Sequence, residues 1–228
     1  MQPLPQVGRL PSAFAIGAGV AVAGLGAGGL TAWAAGLPTL LRVRHDLAPL
    51  TPGTSAALLL AGAALVLLTP PLPGPVRRWS GQALAAATVL IGLLGLLGAF
   101  SGERVSPIRI VVTAVLGERA GAAPPHPTAA FALVIAGIAL AALQLPRHGR
   151  NRWVPVLAPA AATIAFVTLL AYVLQRGPLP GGPGELAMPA LSAAGILLLA
   201  VGVMLARPTY GCCAPSAVAV PAGRWPGG

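Results

Sequence analysis

Three apolar runs closed off by proline decide most of what this chain can become. The first, PGTSAALLLAGAALVLLTPP at 52–71, falls without a gap on PTAAFALVIAGIALAALQLP at 127–146 after a shift of 75 positions. Ala61 and Gly62 then lie on Ala136 and Gly137, and Leu65 lies on Leu140. A looser third copy occupies 189–208. Each run holds about 17 or 18 apolar residues, enough at about 1.5 Å per residue to cross most of a hydrocarbon layer about 30 Å thick. The match continues past the runs, since Arg77-Arg78-Trp79 and a further apolar run follow the first copy. Arg150-Asn151-Arg152-Trp153 and another apolar run follow the second. The repeated unit reads as a helical hairpin.

The composition admits no surroundings but lipid. With 56% hydrophobic residues, 8% charged residues and a mean hydropathy of +0.84, 228 residues carry too little charge to solvate a water-facing surface. The net charge of +10 comes from 14 basic residues, every one an arginine, scattered singly or in pairs between apolar runs. Without a basic cluster or a platform of aromatic rings they read as topology signals and contacts to lipid phosphates, not as a nucleic-acid surface. The absence of lysine, with heavy use of alanine, glycine and proline, points to a GC-rich bacterial genome. The cysteines, Cys212 and Cys213, are adjacent, where Cβ vectors diverge, and read as two unpaired thiols. No Cys/His spacing supports a zinc site.

The fold expected is an all-α integral membrane bundle of six transmembrane helices with an internal hairpin repeat. A short start at 1–12 leads into spans at about 13–35, 54–70, 80–100, 128–145, 153–175 and 189–206, and a tail at 207–228 is expected to be disordered. The first run exceeds the apolar stretch of about 7–15 residues in a secretory signal, so it reads as a permanent span. Inside it, residues 24–29 satisfy GxGxxG, but no βαβ pattern follows. Gly24 and Gly28 are instead expected on one helix face where a neighbour approaches closely, as are Gly92, Gly95 and Gly98. Pro70, Pro71, Pro73 and Pro75 are expected to stop the second helix. The long connection at 101–126 reads equally as an interfacial helix or as a packed loop.

Counting arginines near span ends places the N-terminus in the cytoplasm. That choice puts eight inside, Arg9, Arg77, Arg78, Arg147, Arg150, Arg152, Arg207 and Arg224, against six outside, Arg42, Arg44, Arg104, Arg109, Arg119 and Arg176. Both termini are then cytoplasmic, in a cell inner (plasma) membrane. Trp79 and Trp153 open spans, and Trp33, Tyr172 and Tyr210 sit near span ends, where amphipathic rings prefer the headgroup level.

No Asp, Glu, Lys, Arg or His falls within any of the six runs. Ion-coupled transporters and pumps carry such groups on the pathway, so a transporter or channel becomes a minority reading. Thr88, Thr163 and Thr168 read as hydroxyls bonded to their own helix. Three histidines lack any Ser or Cys in a nucleophile pattern, so no catalytic residue, cofactor or metal is expected and the chain is read as a non-enzyme. The one candidate site is on the outer face, where His45, Asp46, Glu103, Glu118, His126 and Glu185 either gather around a ligand, a cation or a proton or are solvated loop residues.

Several of these residues fit a known pattern. Pro52-Gly53-Thr54-Ser55 and Pro127-Thr128-Ala129-Ala130 open alternate helices, Met188-Pro189-Ala190-Leu191-Ser192-Ala193 opens the last, and Ala206-Arg207-Pro208-Thr209-Tyr210-Gly211 closes it. In these features, over about 45–211, the chain resembles the N-terminal multi-span membrane region of bacterial sensor proteins, which precedes PAS, histidine kinase, diguanylate cyclase or phosphatase domains. The resemblance implies a non-catalytic signal-input region with its output domain elsewhere, and Arg207 and Pro208 as the point where the signal leaves the membrane. The outer Gly-Tyr ends common there are represented only by Gly98-Ala99-Phe100 and Ala171-Tyr172. The alternative is a small accessory or structural membrane protein. Expected partners are the bilayer and a second copy or a cytoplasmic signalling protein, with no nucleic acid.

Overall fold

The structure, a computed structural model, describes residues 9–36, 50–69, 74–100, 126–143, 154–174 and 188–206. Among them all regular structure is helical: α1 (Arg9–Ala34), α2 (Pro52–Leu68), α3 (Pro75–Phe100), α4 (Pro127–Ala142), α5 (Val154–Leu174) and α6 (Ala190–Ala206). Two starts differ from the sequence reading by more than two residues, since α1 begins at Arg9 instead of 13 and α3 at Pro75 instead of 80. Pro11 and Pro75 lie in the first turns of these helices, where an N–H has no helical acceptor to lose. Pro75, expected to stop a helix, therefore opens one. The connection at 101–125 and the tail at 207–228 lie outside the described residues.

The helices fall into two classes. Pro11–Ala34, Pro75–Phe100 and Val156–Leu174 are long and apolar enough to cross a membrane. The others, α2, α4 and α6, are apolar but have 17, 16 and 17 residues, about 24–26 Å of helix. Each helix packs against the next in sequence, and α6 packs against α1, so the six close into a ring. The three short helices also meet one another, which places them inside and the long ones outside. A helix apolar on every side belongs in an interior. Leu58 and Leu65 of α2, Leu133 and Leu140 of α4, and Ile196 and Leu199 of α6 are fully buried accordingly. The outer helices instead turn Leu90, Leu93 and Leu97 on α3, and Phe166, Val167 and Leu170 on α5, to the surroundings.

Glycine sets the spacing between outer and inner helices. A Cβ at Gly26 of α1 would strike the Leu59 nitrogen and stand 2.6 Å from the Ser55 carbonyl oxygen of α2. A Cβ at Gly62 of α2 would stand 2.5 Å from the Ala23 nitrogen and 2.6 Å from the Gly19 oxygen of α1. Backbone rests on backbone in both directions, as small residues in membrane helices allow. Between α3 and α4 the arrangement recurs: Gly92 lies against the Ala130 oxygen and Val134 nitrogen, and Gly137 against Val89 and the Ala85 oxygen. Ala130, Val134 and Gly137 are 75 positions beyond Ser55, Leu59 and Gly62. Gly24 and Gly28, expected at this contact, are exposed with nothing within 4 Å of a Cβ there. The contact face of α1 runs instead through Gly19, Val22, Gly26 and Gly29. Gly92 and Gly95 are buried as expected, and Gly98 is half-buried.

These contacts also fix direction. Early residues of α1 meet late residues of α2, and α3 opens where α2 ends, with Gly81 against Leu68. Gly195 and Gly202 of α6 meet Leu58 and Leu65 in the same order along α2. Together with the antiparallel α3–α4 contact, this makes α2, α4 and α6 parallel to one another.

At the end where the inner helices finish, side chains from α3 take up carbonyls. Pro70 has no N–H to offer the Val66 carbonyl, and Arg77 Nη2 donates to it at 3.1 Å. One repeat length on, Gln82 Nε2 donates to the Ala141 carbonyl at 3.2 Å. The guanidinium also suits the negative end of the α2 dipole. Replacing Arg77 with methionine should therefore destabilise the bundle by about 1–2 kcal/mol, read as a lower melting temperature in detergent. Arg77→Lys, which keeps a donor and a charge, should recover part of the loss.

Candidate functional site

The opposite end, where α2, α4 and α6 begin, gathers four of the six buried polar side chains among the described residues. Thr51, in extended conformation before α2, accepts from the Thr54 N–H at 3.4 Å, and the two hydroxyl oxygens lie 2.7 Å apart. The Ser55 hydroxyl donates to the Thr51 carbonyl at 3.0 Å, and the Ser192 hydroxyl of α6 to the Pro189 carbonyl at 2.7 Å. All four side chains are buried, and a buried hydroxyl needs such a partner. Their bonds go to local backbone and to each other, so they hold the helix starts in place.

Two aromatic side chains tie the outer helices to these starts. Trp33 Nε1, near the end of α1, donates at 2.7 Å to the carbonyl of Leu50, two residues before α2. The Tyr172 hydroxyl, near the end of α5, donates at 2.6 Å to the carbonyl of Met188, two residues before α6. Leu50 and Met188 are fully buried, so each carbonyl is bonded away from solvent. At the corresponding place α3 ends in Phe100, which has no donor and is exposed. The sequence reading placed Trp33 and Tyr172 near the membrane surface but did not foresee these bonds. The available signal was an aromatic donor ending one apolar run shortly before a proline that opens the next.

Each tie should show in stability. Trp33→Phe and Tyr172→Phe keep an aromatic ring and remove the donor, leaving a buried carbonyl unbonded. We expect a loss of about 0.5–2 kcal/mol each, measured by thermal unfolding in a fixed detergent.

Of the candidate ligand residues, the structure places His126, which stands half-buried at the N-cap of α4 with no capping bond from its ring. His45, Asp46, Glu103, Glu118 and Glu185 lie outside the described residues, as do Arg207, Pro208, Cys212 and Cys213. Among the described residues no three His, Cys, Asp or Glu side chains come together as a metal site. In sequence, all four acids fall in the three connections that lead into the inner helices, at 37–49, 101–125 and 175–187. Three parallel helix starts carry partial positive charge, and acidic residues suit that end. Thr88, Thr163 and Thr168 donate to the carbonyls of Leu84, Ala160 and Ile164, the local bonding expected for them.

No known protein family, curated protein or solved structure matches the chain.

Proposed function

We propose that the chain is a six-span inner-membrane bundle, with both ends cytoplasmic, that works as a non-catalytic signal-input region. In this reading it consists of three hairpins, α1–α2, α3–α4 and α5–α6, with each short helix on the inside. The matching glycine contacts of the first two hairpins support that division, and they move the repeat frame by one helix from the α2–α3 and α4–α5 pairs suggested by the sequence. The short helices tolerate a thickness mismatch because long neighbours flank them. Apolar runs without an Asp, Glu, Lys, Arg or His favour an input region over an ion-coupled transporter.

One observation carries the sensory reading: α6, the helix that leads to Arg207 and Pro208, is gripped from inside the bundle. Gly195 lies against Leu58, and Gly202 against Leu65 and Ala18, so a shift among the inner helices is passed to α6 by contact. Close packing of this kind carries a displacement of the inner helices to the exit. The test is to join the chain after residue 211, in frame, to a diguanylate cyclase domain and assay cyclic dinucleotide in membranes. Wedging the α2–α6 contact with Gly202→Leu should change cyclase output while the protein remains in the membrane. An output indifferent to this change and to every stimulus tried would reject the sensory reading. An output domain encoded in frame beyond Gly228 would support it independently.

A further inference from the structure

We infer that α5 is the displaceable helix of the bundle, hinged at Pro159 and tied to α6 through Tyr172. The inference takes from the sensory reading only what the movement is for; whether α5 moves is independent of it.

The other five helices are locked by glycine. α1 with α2, and α3 with α4, meet backbone to backbone, so sliding or tilting one against the other brings atoms into collision. α6 is held by Gly195 and Gly202 against α2 and α1. No glycine occurs in α5, and those placed on α4 and α6 lie against α3, α2 and α1. What α5 buries fully is Ala158, Ala161 and Ala165, with Leu157, Ile164 and Leu169 packed half-buried beside them and no glycine to bring the backbones into contact. Phe166, Val167 and Leu170 point the other way.

The helix is also softened where a hinge would be. Pro159 lies inside α5 and cannot donate, so the Pro155 carbonyl loses its helical partner and the ring presses on the preceding turn. Beside it the Thr163 hydroxyl bonds back to the Ala160 carbonyl at 2.8 Å, a pattern that bends helices. Near the far end, the Tyr172 hydroxyl holds the Met188 carbonyl at the start of α6. A hinge near one end and a hydrogen bond to the start of α6 near the other make α5 a lever whose swing pulls on or releases that start.

Spin-label distances in the full chain test this. With Cys212 and Cys213 replaced by serine, the protein in lipid nanodiscs carries labels at Leu93 and Val167, which span α3 to α5. A reference pair at Val20 and Leu93 spans α1 to α3; all three positions are exposed. The α5 pair should give a distribution about twofold broader than the reference, or two peaks. Tyr172→Phe should shift weight toward the longer distance, and Pro159→Ala should narrow the distribution, with the reference unchanged in both. Equal widths for the two pairs, or a broader reference, would overturn the inference. A mobile α5 in a chain whose cyclase fusion never responds would reject the sensory reading alone. A rigid α5 in a fusion that responds would reject this inference alone.

Discussion

Alanine in place of Gly26 should cost the folded chain about 2–3 kcal/mol, and the same change at Gly24 should stabilise it by about 0.5–1 kcal/mol. Two residues apart on one helix, the two substitutions add the same methyl group and the same gain in helix propensity. Their surroundings decide the sign. At Gly26 the methyl meets the Leu59 nitrogen and the Ser55 carbonyl, atoms of a neighbouring backbone that cannot rotate away. Relief then requires α1 and α2 to separate, which also disturbs Gly19 against Val66 and Gly62 against Ala23. At Gly24 nothing lies within 4 Å, so only the reduced backbone freedom of the unfolded chain is felt. Unfolding of the two variants in one detergent, followed by loss of the monodisperse peak on heating, gives the comparison. Equal shifts would mean that α1 and α2 do not cross as described.

Arginine in place of Leu90 should be the most damaging change on the outer surface. Leu90 lies near the middle of the apolar part of α3 and is 56% exposed. In water, a charge at such a place changes stability by no more than about 0.5 kcal/mol. In hydrocarbon, an arginine at a helix centre costs about 2.5–3.5 kcal/mol on insertion scales. The variant should therefore lose most of its membrane-integrated, folded fraction, assayed by carbonate extraction followed by detergent gel filtration. Arg78→Ala, at the start of the same helix, should leave integration nearly unchanged and serves as the comparison. Normal accumulation of Leu90→Arg would mean that water, not lipid, faces α3.

How much of this was legible in the sequence depends on the scale at which it is read. The six apolar runs give the helices because uninterrupted apolar stretches between prolines have few other solutions. Ends are less certain, as Pro75 shows: a proline ends one helix or begins another according to which neighbouring carbonyls find partners. Spacing alone also failed to identify the contact face of α1, because glycines occur on both sides of that helix and the pair at i and i+4 is on the outer one. Gly24 and Gly28 face outward, while Gly19, Gly26 and Gly29 face α2. Only the partner's shape separates the two sets. The division into long outer and short inner helices was present as run length, yet it gained meaning only once the ring closed through α6 and α1. For the candidate ligand residues the sequence still carries the argument, since His126 alone among them has a described position.

The account turns on six crossings with connections that alternate between the two sides of the membrane, and cysteine accessibility tests that directly. With Cys212 and Cys213 replaced by serine, single cysteines are placed in each connection and reacted with an impermeant maleimide, before and after permeabilisation. Positions in 37–49, 101–125 and 175–187 should label on intact spheroplasts, and positions in 70–73, 144–153 and 207–228 only once the membrane is opened. Labelling from the same side at both ends of α2, α4 or α6 would show that this helix does not cross, and would contradict the six-span account.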